Sequence, residues 1–379
     1  MQTLAQRLAR VRSLAEQFVA RRSEFGTRAF WRKTGRVVVR AAQTALVPEV
    51  AVQAQLKIMA RRPWNLHLEP TNACNADCVF CAYQYQQRRR LVMPMELFRK
   101  ALGDYVAIGG GDLLLQVVVG DPLLDPTFVE KVREARREPS IAAIKTISNG
   151  IGLDRIGAED FVKSGLTHIL ISTAGFDKDS YEAVYRVKKY DKMRENVLAL
   201  LEANRRHGNP IEVTIGFRTN RTITEVMADP DFRDIAKFEP RIDFTYSFDD
   251  WLGAIDYEVA PEGFKMRIAP TQHEPCLWLY DGPIVFANGD VGLCGCRDIE
   301  ANSDLIVGNI MEASLIDIWR SERVKSLRSG FCGPGKPNIC AKCKMYRDLN
   351  MYRTVEGMQR TYLTRKRLHS APPGSPYHP

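Results

Sequence analysis

A chain of 379 residues with 45% hydrophobic side chains is long enough for one large core and a smaller one. No apolar run approaches the roughly 20 residues that span a bilayer, which excludes a transmembrane helix. The nine cysteines are odd in number and gather around residue 78 and between 276 and 343, with no secretory signal ahead of them. That pattern points to metal ligation in a reducing, cytoplasmic setting and away from a disulfide framework.

The net charge of +9 is concentrated at one end. Residues 1–63 hold thirteen Lys or Arg against three Glu, so the remaining chain is close to neutral. Here Leu4, Leu8, Val11, Ala15, Phe18 and Val19 recur at helical spacing beside Arg7, Arg10, Arg12, Arg21 and Arg22, which predicts a basic amphipathic helix. Its expected place is the outside of the main domain with a solvated arginine face. The sharper alternative is contact with an acidic partner or an anionic membrane surface, which would make the protein peripheral to the membrane. A transit peptide fits less well, because the apolar pattern continues to about residue 60. Nucleic acid is not an expected partner, since the arginines lack interleaved aromatics beyond Phe30 and Trp31.

From residue 64 strand-like and helix-like segments alternate. Strands are predicted at 64–70, 113–119, 141–148, 168–173, 211–218 and 242–248, and helices at 95–106, 127–137, 158–164, 189–206 and, interrupted by Pro230, 222–238. Six such units imply an α/β fold with a parallel sheet, whose ligand sites lie at the carboxyl ends of its strands. The expected division is an extension over 1–63, a core over 64–255, a small α+β domain over 256–350, and a helix and proline-rich disordered tail over 351–379.

The first predicted strand runs into Thr71-Asn72-Ala73-Cys74, and Cys78 and Cys81 follow, a C-x3-C-x2-C cluster. Three thiolates is the informative count. A structural zinc site closes its shell with four ligands, whereas an iron–sulfur cube held by three cysteines leaves one iron free to bind something else. The alternatives are a zinc knuckle that borrows His67, or three unrelated buried thiols.

With Phe80 directly before the last cysteine, this run resembles the radical S-adenosylmethionine (radical SAM) superfamily. The resemblance implies a partial (β/α)6 barrel over about 64–250 and a 4Fe-4S cluster on Cys74, Cys78 and Cys81. It also implies that SAM chelates the open iron and is reductively cleaved to a 5'-deoxyadenosyl radical, with electrons from a flavodoxin- or ferredoxin-type donor. Gly120-Asp121-Pro122 resembles the G-E-P turn that contacts the SAM amino group, with Asp in place of Glu. Ser148-Asn149-Gly150 resembles the turn beside the ribose. Ser172 and Arg186 are similar to the pair that holds the methionine carboxylate, a task suited to the planar fork of arginine. Phe80 and Tyr83 complete the expected cofactor contacts.

Cys276, Cys294 after Gly289, and Cys340-Ala341-Lys342-Cys343 form a second group. Four thiolates complete the shell of one 4Fe-4S cluster, or equally of one zinc. The pattern resembles the auxiliary-cluster domain called SPASM or, when shortened, twitch, as do the hairpin-like 283–293 and the run 307–319. No cysteine follows Cys343, which implies one auxiliary cluster. Cys332 has no assigned role. Cys296 is a candidate hydrogen-atom donor of the kind radical SAM epimerases use, and Arg297 or Asp298 a candidate base.

The expected activity is that of a radical SAM oxidoreductase. It would dehydrogenate a small polar substrate such as a sugar or aminocyclitol, with the auxiliary cluster as electron acceptor. Epimerisation through Cys296 and maturation of a ribosomal peptide are the enzymatic alternatives. A zinc protein whose basic arm binds nucleic acid is the non-enzymatic one.

Overall fold

The computed structural model describes residues 49–349 apart from 246 and 257–261, so most of the basic extension and the tail lie outside the described residues. Helix α1 (Glu49–Met59) ends the extension. Val52, Leu56 and Met59 are buried there, and the carbonyl of Met59 accepts the indole N–H of Trp319 at 3.1 Å.

Six parallel strands follow in simple order: β1 (Asn65–Leu68), β2 (Gly111–Leu115), β3 (Ile141–Ser148), β4 (His168–Thr173), β5 (Glu212–Arg218) and β6 (Arg241–Thr245). Parallel neighbours need a crossover. The crossovers hold α2 (Met95–Ala107), α3 (Phe128–Arg136), α4 (Ala158–Val162), α5 (Lys178–Tyr185), α6 (Tyr190–Arg206), α7 (Ile223–Met227) and α8 (Phe232–Ala236). Helix α5 is absent from the sequence-based expectation. Asp177 caps it by accepting from Ser180 N at 2.9 Å, and Tyr181, Val184 and Tyr185 give it a buried face.

The period-2 alternation of strands sorts side chains into two layers. Leu66 and Leu68, Leu113 and Leu115, Ile169 and Ile171, and Ile215 and Phe217 are buried in the main apolar core with helix residues such as Phe98, Val132 and Leu200. The intervening positions, His67 among them, are left for the barrel interior.

Two short strands, β7 (Ser247–Phe248) and β8 (Lys265–Met266), pair by themselves. Helix α9 (Trp278–Asp281) leads into β9 (Ile284–Val285), β10 (Asp290–Gly292) and β11 (Ile306–Asn309). These three continue the barrel sheet, because β9 lies parallel to β1 and β10 and β11 add antiparallel, giving nine strands in one sheet. Helices α10 (Leu315–Arg320), α11 (Glu322–Gly330) and α12 (Asn338–Ala341) complete the described chain. Among the described residues no helix is long and apolar enough to cross a membrane.

One buried ion pair locks the turn after β2 to α3. Lys131 Nζ reaches Asp125 Oδ2 at 2.5 Å, Met93 O at 2.7 Å and Thr127 Oγ1 at 2.9 Å, with both charged side chains wholly buried. Removing one partner leaves an uncompensated buried charge. Lys131→Met is expected to cost about 3–5 kcal/mol of unfolding free energy; a urea midpoint close to that of the wild type would show that the pair contributes little.

Candidate functional site

The loop after β1 is clamped at both ends before it presents its cysteines. Asn72 Oδ1 accepts from Leu91 N at 2.8 Å, its amide donates to Arg89 O at 2.9 Å, and Thr71 Oγ1 donates to Leu91 O at 2.7 Å. The middle of the loop hangs on the end of α5, where Val79 N and Asp77 N donate to the carbonyls of Val184 and Tyr185. Phe80 stacks on Phe248 at 5.3 Å and meets Tyr185 edge-on at 5.7 Å.

Cys74, Cys78 and Cys81 line one cavity of about 450 Å³ at the carboxyl ends of the strands, together with Phe80, Gly120, Asp121, Ser148, Asn149 and Ser172. Eight sequence-predicted residues are thus brought together with the third cysteine. Burial pushes the Cys74 thiol up to about 12 and raises Cys78 and Cys81 as well, while Arg218 opposes the rise at the latter two. Such thiols stay protonated alone and become thiolates when a cation supplies the missing charge. Three soft donors converging on one cavity fit an iron–sulfur cube with a position left over for a ligand. Among the described residues no three His, Cys, Asp or Glu side chains are gathered as a site for a single metal ion.

Asp121 is wholly committed to its own surroundings. Its carboxylate accepts from Asn149 N at 2.7 Å, from Leu123 N at 3.0 Å and from Ser148 Oγ at 3.0 Å, and its own N–H donates to Ala73 O at 2.7 Å. Burial raises its pKa to about 6, and these hydrogen bonds pull against the rise. Pro122 opens the turn that follows it. At Gly120, φ is +133° and a Cβ would lie 3.0 Å from Ala73 O, so a glycine is what lets the cysteine loop approach. Asn149 Nδ2 bonds Asn75 Oδ1 at 2.8 Å and lies 3.9 Å from Cys74 Sγ. Ser172 Oγ shares a hydrogen bond with Tyr185 Oη at 2.8 Å.

Three expected cofactor contacts, Pro122, Tyr83 and Arg186, lie off this wall. Arg186 takes a left-handed conformation at the end of α5 and points towards Asp77 at 3.9 Å, and Tyr83 lies under Arg90. Four arginines line the cavity, and the one beside Cys78 and Cys81 from the end of β5 is Arg218, 5.8 Å from the centroid of the Phe80 ring. Its position was legible only as a polar residue closing a strand.

The second cysteine group is also gathered. Cys276, Cys296, Cys340 and Cys343 are close enough to raise one another's pKa or that of a neighbour in the set, and Cys294 shares a thiol hydrogen bond with Cys296. Backbone N–H groups of Cys296 and Met345 point at the sulfurs of Cys294 and Cys343, at 3.4 and 3.3 Å. Burial raises Cys276 to about 12 and raises Cys340. Cys332 stands apart and exposed. Cys294 and Cys296 line the same cavity as the first three thiols.

Between the two groups lies Arg297. It forms a buried ion pair with Asp249 through two nitrogens, and its guanidinium sits 4.0 Å from the centroid of the Trp251 ring, whose N–H donates to Phe80 O at 2.8 Å. Burial works against its charge, but Asp249 outweighs it and the pKa is raised. A guanidinium held in this way does not accept a proton, so the expectation of Arg297 as a base has no support in its surroundings. Asp298 does not line the cavity and is occupied by Ser303 Oγ at 2.6 Å and the N–H groups of Asn302 and Ser303. Three carboxylates line the cavity, and with Asp121 and Asp249 engaged, Asp243 of β6 is the remaining one.

Comparison with known proteins places this geometry. Residues 68–229 match the model of the radical SAM superfamily, and residues 276–344 match that of the SPASM iron–sulfur cluster-binding domain. The protein is therefore a radical SAM enzyme with a C-terminal SPASM domain. These domains imply a 4Fe-4S cluster that works with SAM, and an auxiliary iron–sulfur cluster.

More particular likenesses are distant. The chain is 25% identical over 131 residues to GTP 3',8-cyclase of Chlorobaculum tepidum, covering 35% of this chain and 39% of the relative. It is 22% identical over 211 residues to the probable GTP 3',8-cyclase of Thermoplasma volcanium, covering 56% and 59%. The match thus spans less than two thirds of either relative. Streptococcus suis SuiB bound to the precursor peptide SuiA shares the fold, with a TM-score of 0.54 and 13% identity over 84% of this chain and 78% of that one.

His67, at the β1 wall of the cavity, supplies a pH test. Burial lowers its pKa to about 4, so between pH 6.5 and 4 the unfolded chain binds a proton that the folded chain refuses. Stability is expected to fall by up to about 3 kcal/mol as pH drops through that window. His67→Phe should lack this component, and parallel urea midpoints for the two proteins at pH 7 and 5 would contradict it.

Proposed function

We propose that the protein oxidises a small polar substrate by two electrons in the cavity between its two cysteine groups. The observation that carries this reading is that Cys74, Cys78 and Cys81 share one cavity with Cys294 and Cys296. When bound, SAM and the clusters supply a 5'-deoxyadenosyl radical that takes a hydrogen atom from the substrate, and an acceptor for the electron that follows.

The rest is the work of side chains. Cys74, Cys78 and Cys81 hold the SAM-binding cluster, and Cys276, Cys294, Cys340 and Cys343 the auxiliary one. Arg218, beside Cys78 and Cys81, balances local negative charge and grips the methionine carboxylate, the role expected of Arg186. Ser172 lies on the same wall, while Asp121 shapes the turn around the cofactor and makes no direct contact with it. Asp243 takes the proton from the hydroxyl or amine on the carbon that loses hydrogen, so a C=O or C=N bond forms and two hydrogens leave the substrate. A flavodoxin- or ferredoxin-type protein supplies electrons, and the expected setting is cytoplasmic.

Cys296 on the cavity wall supports a second reading, epimerisation by return of a hydrogen atom. A precursor peptide of the kind bound to SuiB is the alternative to a small molecule.

Anaerobically loaded protein should carry about eight irons per chain as two cubes. Alanine at Cys74, Cys78 and Cys81 is expected to abolish 5'-deoxyadenosine formation, while alanine at Cys276 and Cys294 removes about half the iron; SAM cleavage by the first variant would overturn the assignment. Substrate mass should fall by two units on turnover. Asp243→Asn should slow that oxidation by about 10²–10⁴-fold and spare substrate-free SAM cleavage. An unchanged mass, with turnover lost in Cys296→Ala, would establish the epimerase reading instead.

A further inference from the structure

Two buried nitrogens in one wall of the cavity have no hydrogen-bond partner among the described residues. The ring of His67 lines the cavity from β1, and Gln116, on the same wall, donates its amide N–H to His67 Nδ1 at 2.8 Å. With Nδ1 accepting, the proton of the neutral imidazole sits on Nε2. Nε2 is buried without a hydrogen-bond partner, and so is the indole Nε1 of Trp278, a second residue of this wall.

The backbone brings the two elements together. His67 N donates to Pro283 O at 3.0 Å, and Gly282 passes so near β1 that a Cβ there would lie 2.0 Å from Asn65 O. Only glycine allows this approach, which seats α9 and its Trp278 against the strand that carries His67. Buried donors are almost always satisfied, so two in one wall ask for an acceptor. The local charge has the same sign, because Arg347 lines the cavity 5.2 Å from the centroid of the Trp278 ring and forms no ion pair among the described residues.

We propose, resting on the reading of the cavity as a substrate site, that His67 Nε2–H and Trp278 Nε1–H bind an oxyanion of the substrate, a carboxylate or a phosphate. The substrate class narrows accordingly, from a neutral sugar or aminocyclitol to a hydroxylated or aminated molecule that also carries an acidic group. Gln116 is a positioning residue, since its amide fixes the tautomer that donates. Burial keeps the imidazole neutral, so it remains a donor across the physiological range.

The test is calorimetric titration of iron-loaded, SAM-saturated protein with malonate, inorganic phosphate and uncharged malonamide. At least one anion is expected to bind once per chain and malonamide not at all. Preference for malonate or phosphate identifies the acidic group. His67→Phe and Trp278→Phe should each weaken anion binding about tenfold or more, and Gln116→Leu by a smaller factor. Iron content and SAM affinity should stay unchanged. Failure of both anions to bind would overturn the proposal, as would wild-type affinity in both Phe variants or an equal loss of SAM affinity. If His67→Phe fails to load iron, Trp278→Phe decides alone, since it removes the indole N–H and keeps an aromatic ring at that position. Iron content and 5'-deoxyadenosine formation judge the radical SAM chemistry separately from anion binding.

Discussion

A buried carboxylate with no cation paired to it among the described residues organises the mouth of this barrel. Asp121 gathers the hydroxyl of Ser148 and the N–H groups of Asn149 and Leu123, while its own N–H holds Ala73. Three loops, from β1, β2 and β3, therefore meet at one residue, through its backbone N–H and its carboxylate. Hydrogen bonds to a charged group are stronger than those between neutral groups, and in a buried site every one of them must be kept. The distances among Cys74, the β2 turn and Asn149 are set by this knot. A longer acid at position 121 could reach out of the knot, whereas aspartate is short enough to be absorbed by it.

A second set of contacts fixes the C-terminal part against the first. Glu69, just after β1, pairs with Arg88 and accepts from Ala287 N at 3.1 Å, and Arg88 lies over the Phe286 ring. On the other side Arg297, Asp249 and Trp251 form a chain that ends on the carbonyl of Phe80. The cysteine loop is held from both flanks. The guanidinium between the two groups of thiols is neutralised by Asp249, so the pair fixes the geometry there without adding net charge.

The strands and most helices were legible because their apolar periods are long and their ends are marked by glycine, proline or capping residues. Helix α5 was not, since eight residues give barely two turns of pattern, although Asp177 and Ser180 mark its start. The cysteines announced themselves by spacing, and the polar turns after β2 and β3 by their place after strands. Other assignments failed to reach the cavity for a different reason. Arg186 and Asp298 are near it in sequence, but side-chain direction depends on a left-handed residue in one case and a tight turn in the other. His67, Arg218 and Asp243 reach it through the alternation of strands, which sequence reveals only once the buried face of each strand is known.

The way β9 lies along β1 has a consequence for how the chain can be divided. A strand with one unpaired side is a template for another chain to add to, and proteins protect or disguise such edges. In the barrel taken alone, β1 would be that edge, and it carries an apolar sequence beside the cysteine loop. The C-terminal strands thus serve as a selvedge for the sheet. A shortened protein that ends after β6 would keep every residue of the radical SAM match up to 229 and still present a raw border to its neighbours.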